Sequence, residues 1–146
     1  MKINSELIKL ERNKYYELNT KEIIDDFLEN ILFRFFDSVL KECHYVSGSS
    51  RDHETNSLEC TDSIARLTMI FESQINKGFT IELCFEHIVR FNLVPSPEGY
   101  DSLWGDSDIY IDNDYIIFRA YRDSYSDIEL NDMTWVKAKS LKLMIR

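Results

Sequence analysis

Ile64-Ala65-Arg66-Leu67-Thr68-Met69-Ile70-Phe71-Glu72-Ser73-Gln74-Ile75 places Ala65, Leu67, Met69, Phe71 and Ile75 on one side of an extended chain and Arg66, Thr68, Glu72 and Gln74 on the other. A period of two held over this length is that of a half-buried antiparallel strand. Asn76-Lys77-Gly78 follows as a tight turn, and Thr80 to Leu93 resumes the alternation with Ile81, Leu83, Phe85, Val89, Phe91 and Leu93 sharing a face. The two segments are expected to pair as a hairpin.

The same period extends in both directions. Upstream, Asp37 to Ser47 is rich in Val, Tyr and Cys and stops at the turn signal Ser47-Gly48-Ser49-Ser50, after which the chain stays polar to about Asn56. Downstream, Pro95 and Pro97 end the second strand, and residues 95–107 form the longest loop-like stretch, with Gly99 and Gly105 around Tyr100 and Trp104. Asp108 to Ile111 and Tyr115 to Arg122 flank Asp112-Asn113-Asp114 as a second hairpin, and Thr134 to Ile145 is the last strand.

Only the N-terminal quarter has a different period. Ile23, Ile24, Phe27, Leu28, Ile31 and Leu32 recur at helical spacing, with Glu22, Asp25, Asp26 and Glu29 opposite them. Asn19 is placed to cap this helix, with Glu22 three residues on, so the helix is expected over 19–35. Residues 1–18, with Leu7, Leu10, Tyr15 and Leu18 loosely spaced, read as an ordered arm or short helix. The expectation is one α+β domain over 1–146, an N-terminal amphipathic helix packed on an antiparallel meander of five to six strands spanning 37–146.

A chain of 146 residues buries about two-thirds of its unfolded surface without a disulfide or metal staple. The N-terminus carries acids and amides where a secretory signal needs an apolar core, and the longest apolar runs fall far short of the ~20 residues that span a bilayer. Cys43, Cys60 and Cys84 are an odd set without paired spacing, which fits a reducing compartment. Cytoplasmic residence follows as the expectation.

The net charge of −9 is unevenly placed. Residues 1–97 sum to −5, residues 98–132 to −8 and residues 133–146 to +4. An acidic quarter of the chain repels nucleic acid, whose affinity comes from Lys and Arg displacing condensed counterions. A basic protein is the better partner.

Motifs for chemistry mostly fail on spacing. Cys84-x-x-His87, with Cys43, His44, Cys60 and His53, raises zinc, but residues three apart on a strand point to opposite faces, and no paired-knuckle spacing is present. His87 reads instead as a core or core-edge histidine. Asp106 to Asp114 lacks the glycine and distal glutamate of a helix-loop-helix calcium site. No glycine-rich phosphate loop, nucleophile elbow or metalloprotease motif occurs. No cofactor and no metal ligand set is expected. What remains is an acidic stretch with interleaved aromatics, from which Trp104, Asp106, Asp108, Tyr110, Asp112 and Asp114 are the expected partner-binding residues. The alternatives are a small enzyme with a pocket near the 95–107 loop, and a structural or oligomer-forming domain.

Phe36-Asp37-Ser38-Val39-Leu40-Lys41-Glu42 followed by Tyr45, then Leu67-Thr68-Met69-Ile70-Phe71, Ile81-Glu82-Leu83-Cys84-Phe85-Glu86 and the closing Trp135-Val136-Lys137-Ala138-Lys139-Ser140-Leu141-Lys142, resemble a pattern in small uncharacterised acidic bacterial proteins. Some of those are immunity proteins encoded beside polymorphic toxins, and they act by masking a toxin's active site. The resemblance implies binding of a basic, toxin-like protein rather than catalysis, and it carries over no catalytic residue.

Overall fold

The computed structural model describes residues 10–59, 64–74, 80–95, 103–104, 106–121 and 133–146. In chain order the elements are β1 (Tyr15–Glu17), α1 (Lys21–Asn30), β2 (Ser38–Val46), β3 (Ser50–Arg51), β4 (Leu58–Glu59), β5 (Arg66–Ser73), β6 (Thr80–Asn92), β7 (Leu103–Trp104), β8 (Asp108–Asp112), β9 (Tyr115–Arg119) and β10 (Trp135–Ile145). The chain is therefore mostly β, which overturns the α+β expectation. Among the described residues one ten-residue α-helix stands against ten strands, eight of them in one antiparallel sheet.

Nor is the sheet a simple meander. Its order is β7-β2-β5-β6-β10-β9-β8, with β10 inserted between β6 and the β8–β9 hairpin and β1 paired to β10 as well. The β5–β6 hairpin forms as the alternation predicts, from Arg66↔Glu86 to Glu72↔Thr80. β10 is long enough to serve two neighbours along one edge: Trp135 to Ala138 pair with β9, and Lys142 to Met144 pair with β1.

The sheet curls until its ends approach. Six strand gaps laid flat would part β7 from β8 by roughly 29 Å, yet Trp104 and Asp108 are four residues apart and so within about 14 Å. Phe71 of β5 and Phe118 of β9, three gaps apart in the sheet, bring their ring centroids to 6.3 Å. Phe35 lies against both, at 4.5 and 5.7 Å. The core is thus filled mainly by the sheet folding over itself, through Leu67, Met69, Ile81, Leu83, Phe85, Val136, Leu141 and Leu143, while α1 adds Ile24, Phe27 and Leu28.

The helix is shorter than its apolar period. Thr20, not Asn19, is the cap, its Oγ1 accepting the Ile23 backbone N–H at 3.3 Å. Beyond Asn30, Phe33, Arg34 and Phe35 take φ of 47°, 51° and 60°, and Asp37 takes 54°. Three successive non-glycine residues in the left-handed region cost about 1–2 kcal/mol each. This turn reverses the chain into β2 and drops Phe35 into the core. Residues 15–17, within the stretch read as an ordered arm or short helix, form the strand β1.

Two irregularities explain where alternation misleads. The β2–β5 register shifts between Leu40 and Glu42, and the β6–β10 register shifts opposite Lys137 and Ala138. His87, with φ 54°, stands just before the second of these. Core positions in β6 therefore run 81, 83 and 85, then 88 and 91. Val89 and Leu93, expected inside, are 51% and 41% exposed.

Candidate functional site

The acidic hairpin is built from β8 and β9, paired from Asp108↔Arg119 to Asp112↔Tyr115. Ile109, Ile116 and Phe118 face the core and fix its orientation. Asn113 closes the turn at φ 55°, a conformation Asn tolerates because its short side chain bonds locally.

The six residues singled out from the sequence are not one patch. Trp104 lies on β7, paired with Ser38 of β2, across the approach between the two ends of the sheet. Asp106 sits in the connection at φ 54°. Asp108 is held by two guanidinium groups, Arg34 Nη1 and Arg119 Nη2, each at 3.5 Å. Tyr110 lies beneath the Arg119 guanidinium, 4.7 Å from its ring centre. Asp112 and Asp114 are exposed at the hairpin tip, and among the described residues no cation lies within ion-pair range of either. Beside them Ile111 is 40% exposed. Of the six, Asp108 and Tyr110 are thus engaged by arginines, and Asp112 and Asp114 form the open part at the tip.

Arg34 is the residue the sequence reading missed. Its guanidinium meets Glu29 at 2.6 Å as well as Asp108, and donates to the Ser107 carbonyl at 3.3 Å. Its own carbonyl accepts the Ser107 N–H at 2.9 Å. The strained turn thus fastens the start of β8, and Ser107 Oγ extends the fastening to the Ala120 carbonyl at 2.8 Å. The available signal was a lone cation inside Phe33-Arg34-Phe35-Phe36, which an amphipathic reading assigned to the tail of a helix.

A second group of charges lies on the outer face of β6. Glu82 Oε1 accepts from the Tyr15 hydroxyl at 2.8 Å, and Arg146 Nη2 approaches Glu82 Oε2 at 2.7 Å. Glu86 meets Lys142 at 2.7 Å and Arg66 at 3.7 Å. Burial, then the hydrogen bond to Glu82, pushes the Tyr15 phenol up to about 12. The hydrogen bond from Lys142 holds Glu86 below the usual carboxylate range, and burial raises the Cys84 thiol between them. These acids have partners, and a thiol so raised is a poor nucleophile.

Among the described residues no three His, Cys, Asp or Glu side chains could hold a metal ion. His87 is exposed rather than a core histidine, His44 contacts Glu42 at 3.1 Å, and Cys43 faces the core. Cys60 and most of the 95–107 loop lie outside the described residues, and no described helix is long and apolar enough to cross a membrane.

Two cavities flank the hairpin. One of about 270 Å³ separates β8 from α1, between Ile24, Asp25 and the Asp108–Ile111 stretch. The other, of about 220 Å³, lies beyond the hairpin tip where β10 passes from β9 to β1, over Leu18, Ile116 and Leu141. No family model matches the chain, and no curated protein or solved structure was found to match it.

Proposed function

We propose that this chain is a binding protein for a basic partner, an immunity-like inhibitor that docks through the tip of the β8–β9 hairpin. The supporting observation is the pair Asp112 and Asp114, exposed beside Ile111 and without a cation from the described part of the chain, on a protein of net charge −9. Such a tip draws a basic surface by its field and adds an apolar contact once docked. The resemblance to immunity proteins, which act by masking a toxin, points the same way.

The test is co-purification from the source cell at low and raised salt, read alongside the neighbouring genes. The expected result is a basic protein whose retention weakens as salt rises and falls further with Asp112→Asn/Asp114→Asn. Retention unchanged by the double substitution removes this surface from the proposal.

A second reading rests on the C-terminal half of β6. Past Glu86, β6 has no described strand beside it on the β5 side, and Tyr45, Val46, Val89, Leu93 and Val94 are all exposed there. Exposed apolar side chains beside an open strand edge suit an oligomer-forming domain. Light scattering decides it: a monomer at high concentration excludes self-association.

A further inference from the structure

The sheet curls without closing, and this leaves β8 with one neighbour: its only described strand pairing is with β9. Two bonds at the start of the hairpin fix which backbone groups look outward. The Ala120 N–H reaches away from β8 to the Thr134 carbonyl, and the N–H of Ser107, opposite Ala120, reaches away from β9 to the Arg34 carbonyl, both at 2.9 Å. In an antiparallel pair this direction repeats at every second residue, so the N–H and C=O of Ile109 and Ile111 also point outward. Ser107 has Arg34 as its cap. Among the described residues neither isoleucine has a backbone partner on that side.

Beside this edge lies the cavity of about 270 Å³ between β8 and α1. The charges in its lining are already taken, Lys21 by Asp25 and Asp108 by Arg34 and Arg119. What it still offers is the apolar pair Ile24 and Ile109 and the open strand edge. Ile111 is 40% exposed against 1% for Ile109, so the cavity is entered from the hairpin tip. Unpaired backbone and an apolar wall, set between an edge strand and a helix, select no lone ion. They match an extended peptide, whose backbone continues the ladder while alternate side chains enter the groove. We propose that an extended segment of the partner adds to the outer edge of β8 as a further strand, bonding first at Ile111 and placing an apolar side chain between Ile24 and Ile109. The assignment rests on the reading of the hairpin tip as a docking edge, and it says what the partner inserts there. The acids of the tip supply long-range attraction, and the ladder supplies direction and register.

The experiment uses the whole chain, isotope-labelled, titrated with the acetylated and amidated peptide Lys-Val-Lys-Val-Lys. Its control carries the same side chains with every backbone nitrogen methylated, which keeps the charge and removes the donors a ladder needs. Exchange of the Ile111 amide slowed by about tenfold or more at saturation, with signal shifts at Ile24 and Ile109, by the first peptide alone supports the added strand. Ile111→Pro, which deletes the outward N–H where an edge strand tolerates proline, is expected to abolish that binding. Unchanged Ile111 exchange, or equal binding of the methylated peptide, overturns the added strand. If Ile111→Pro leaves salt-sensitive capture of a basic partner intact, the added strand falls and the acidic tip stands. If the peptide protects Ile111 but Asp112→Asn/Asp114→Asn leaves partner capture unchanged, the tip falls instead.

Discussion

Acids on the outer face of β6 and acids at the tip of the β8–β9 hairpin differ in one respect that sorts their roles. Glu82 and Glu86 are 5% and 8% exposed, and each meets cations and donors from neighbouring strands. Asp112 and Asp114 are exposed with no such partner among the described residues. A carboxylate whose lone pairs are already filled cannot be given to another protein without leaving its old partner stranded, whereas an open one can be given at little cost to the fold. Asp108 lies between these extremes, at 25% side-chain exposure with two arginines beside it.

Removing a paired acid is expected to have the largest effect. Glu82→Leu strips an acceptor from Tyr15 and the counter-charge from Arg146, for a loss of about 2–3 kcal/mol read as a lower urea midpoint at constant m. Next comes the fastening between the two regions. Arg34→Ala removes the ties to Glu29, Asp108 and the Ser107 carbonyl and keeps the left-handed strain, so hydrogen exchange across 108–119 should speed up. Arg34→Gly removes the same ties but relieves the strain, and is expected to be more stable than the alanine variant by about 1 kcal/mol.

The pH dependence separates the regions further. Glu86 is lowered in the fold, so its contribution is present above the ordinary carboxylate pKa and lost as pH falls through the folded value. Tyr15 is raised, so its contribution is full below pH 10 and is lost as pH climbs to about 12. Ultraviolet titration of the phenols should show one group ionising late, and Glu82→Leu should bring it down. The smallest effect on stability belongs to Asp112→Asn/Asp114→Asn, expected to stay within about 0.5 kcal/mol of the parent. A larger loss there would place the tip with the scaffold and erase the contrast.

The strands were legible wherever alternation was clean. Leu67, Met69 and Phe71 face the core together, and β5 pairs with β6 and β8 with β9 as the alternation predicts. Legibility stopped at three physical events. Left-handed backbone at Phe33 to Phe35 ended a helix whose apolar period ran on, and a capping preference could not separate Asn19 from Thr20. Register shifts in β2 and β6 moved the inward face by one residue, so Val89 changed sides while Phe91 kept partly to the core. The insertion of β10 between β6 and β9 is a long-range pairing that no local period encodes, and it decided the class, because a sheet that covers itself does not need a large helical layer. At the site, the exposed acids were visible by composition. Which of them arginines had already taken was not, since Arg34 reaches Ser107 across 73 positions of chain.

The position of β10 sets an order of events. It borders β6, β9 and β1, yet follows all three in the chain. During synthesis β6 and β9 leave the ribosome with bare edges and wait for a neighbour that emerges later. Until it arrives, the apolar faces of Leu83, Phe85 and Phe118 have no shared interior to enter, and non-local pairing of this kind folds slowly and is exposed to aggregation. Chains truncated before Trp135 are therefore expected to accumulate as substrates for chaperones and proteases rather than as a smaller folded protein.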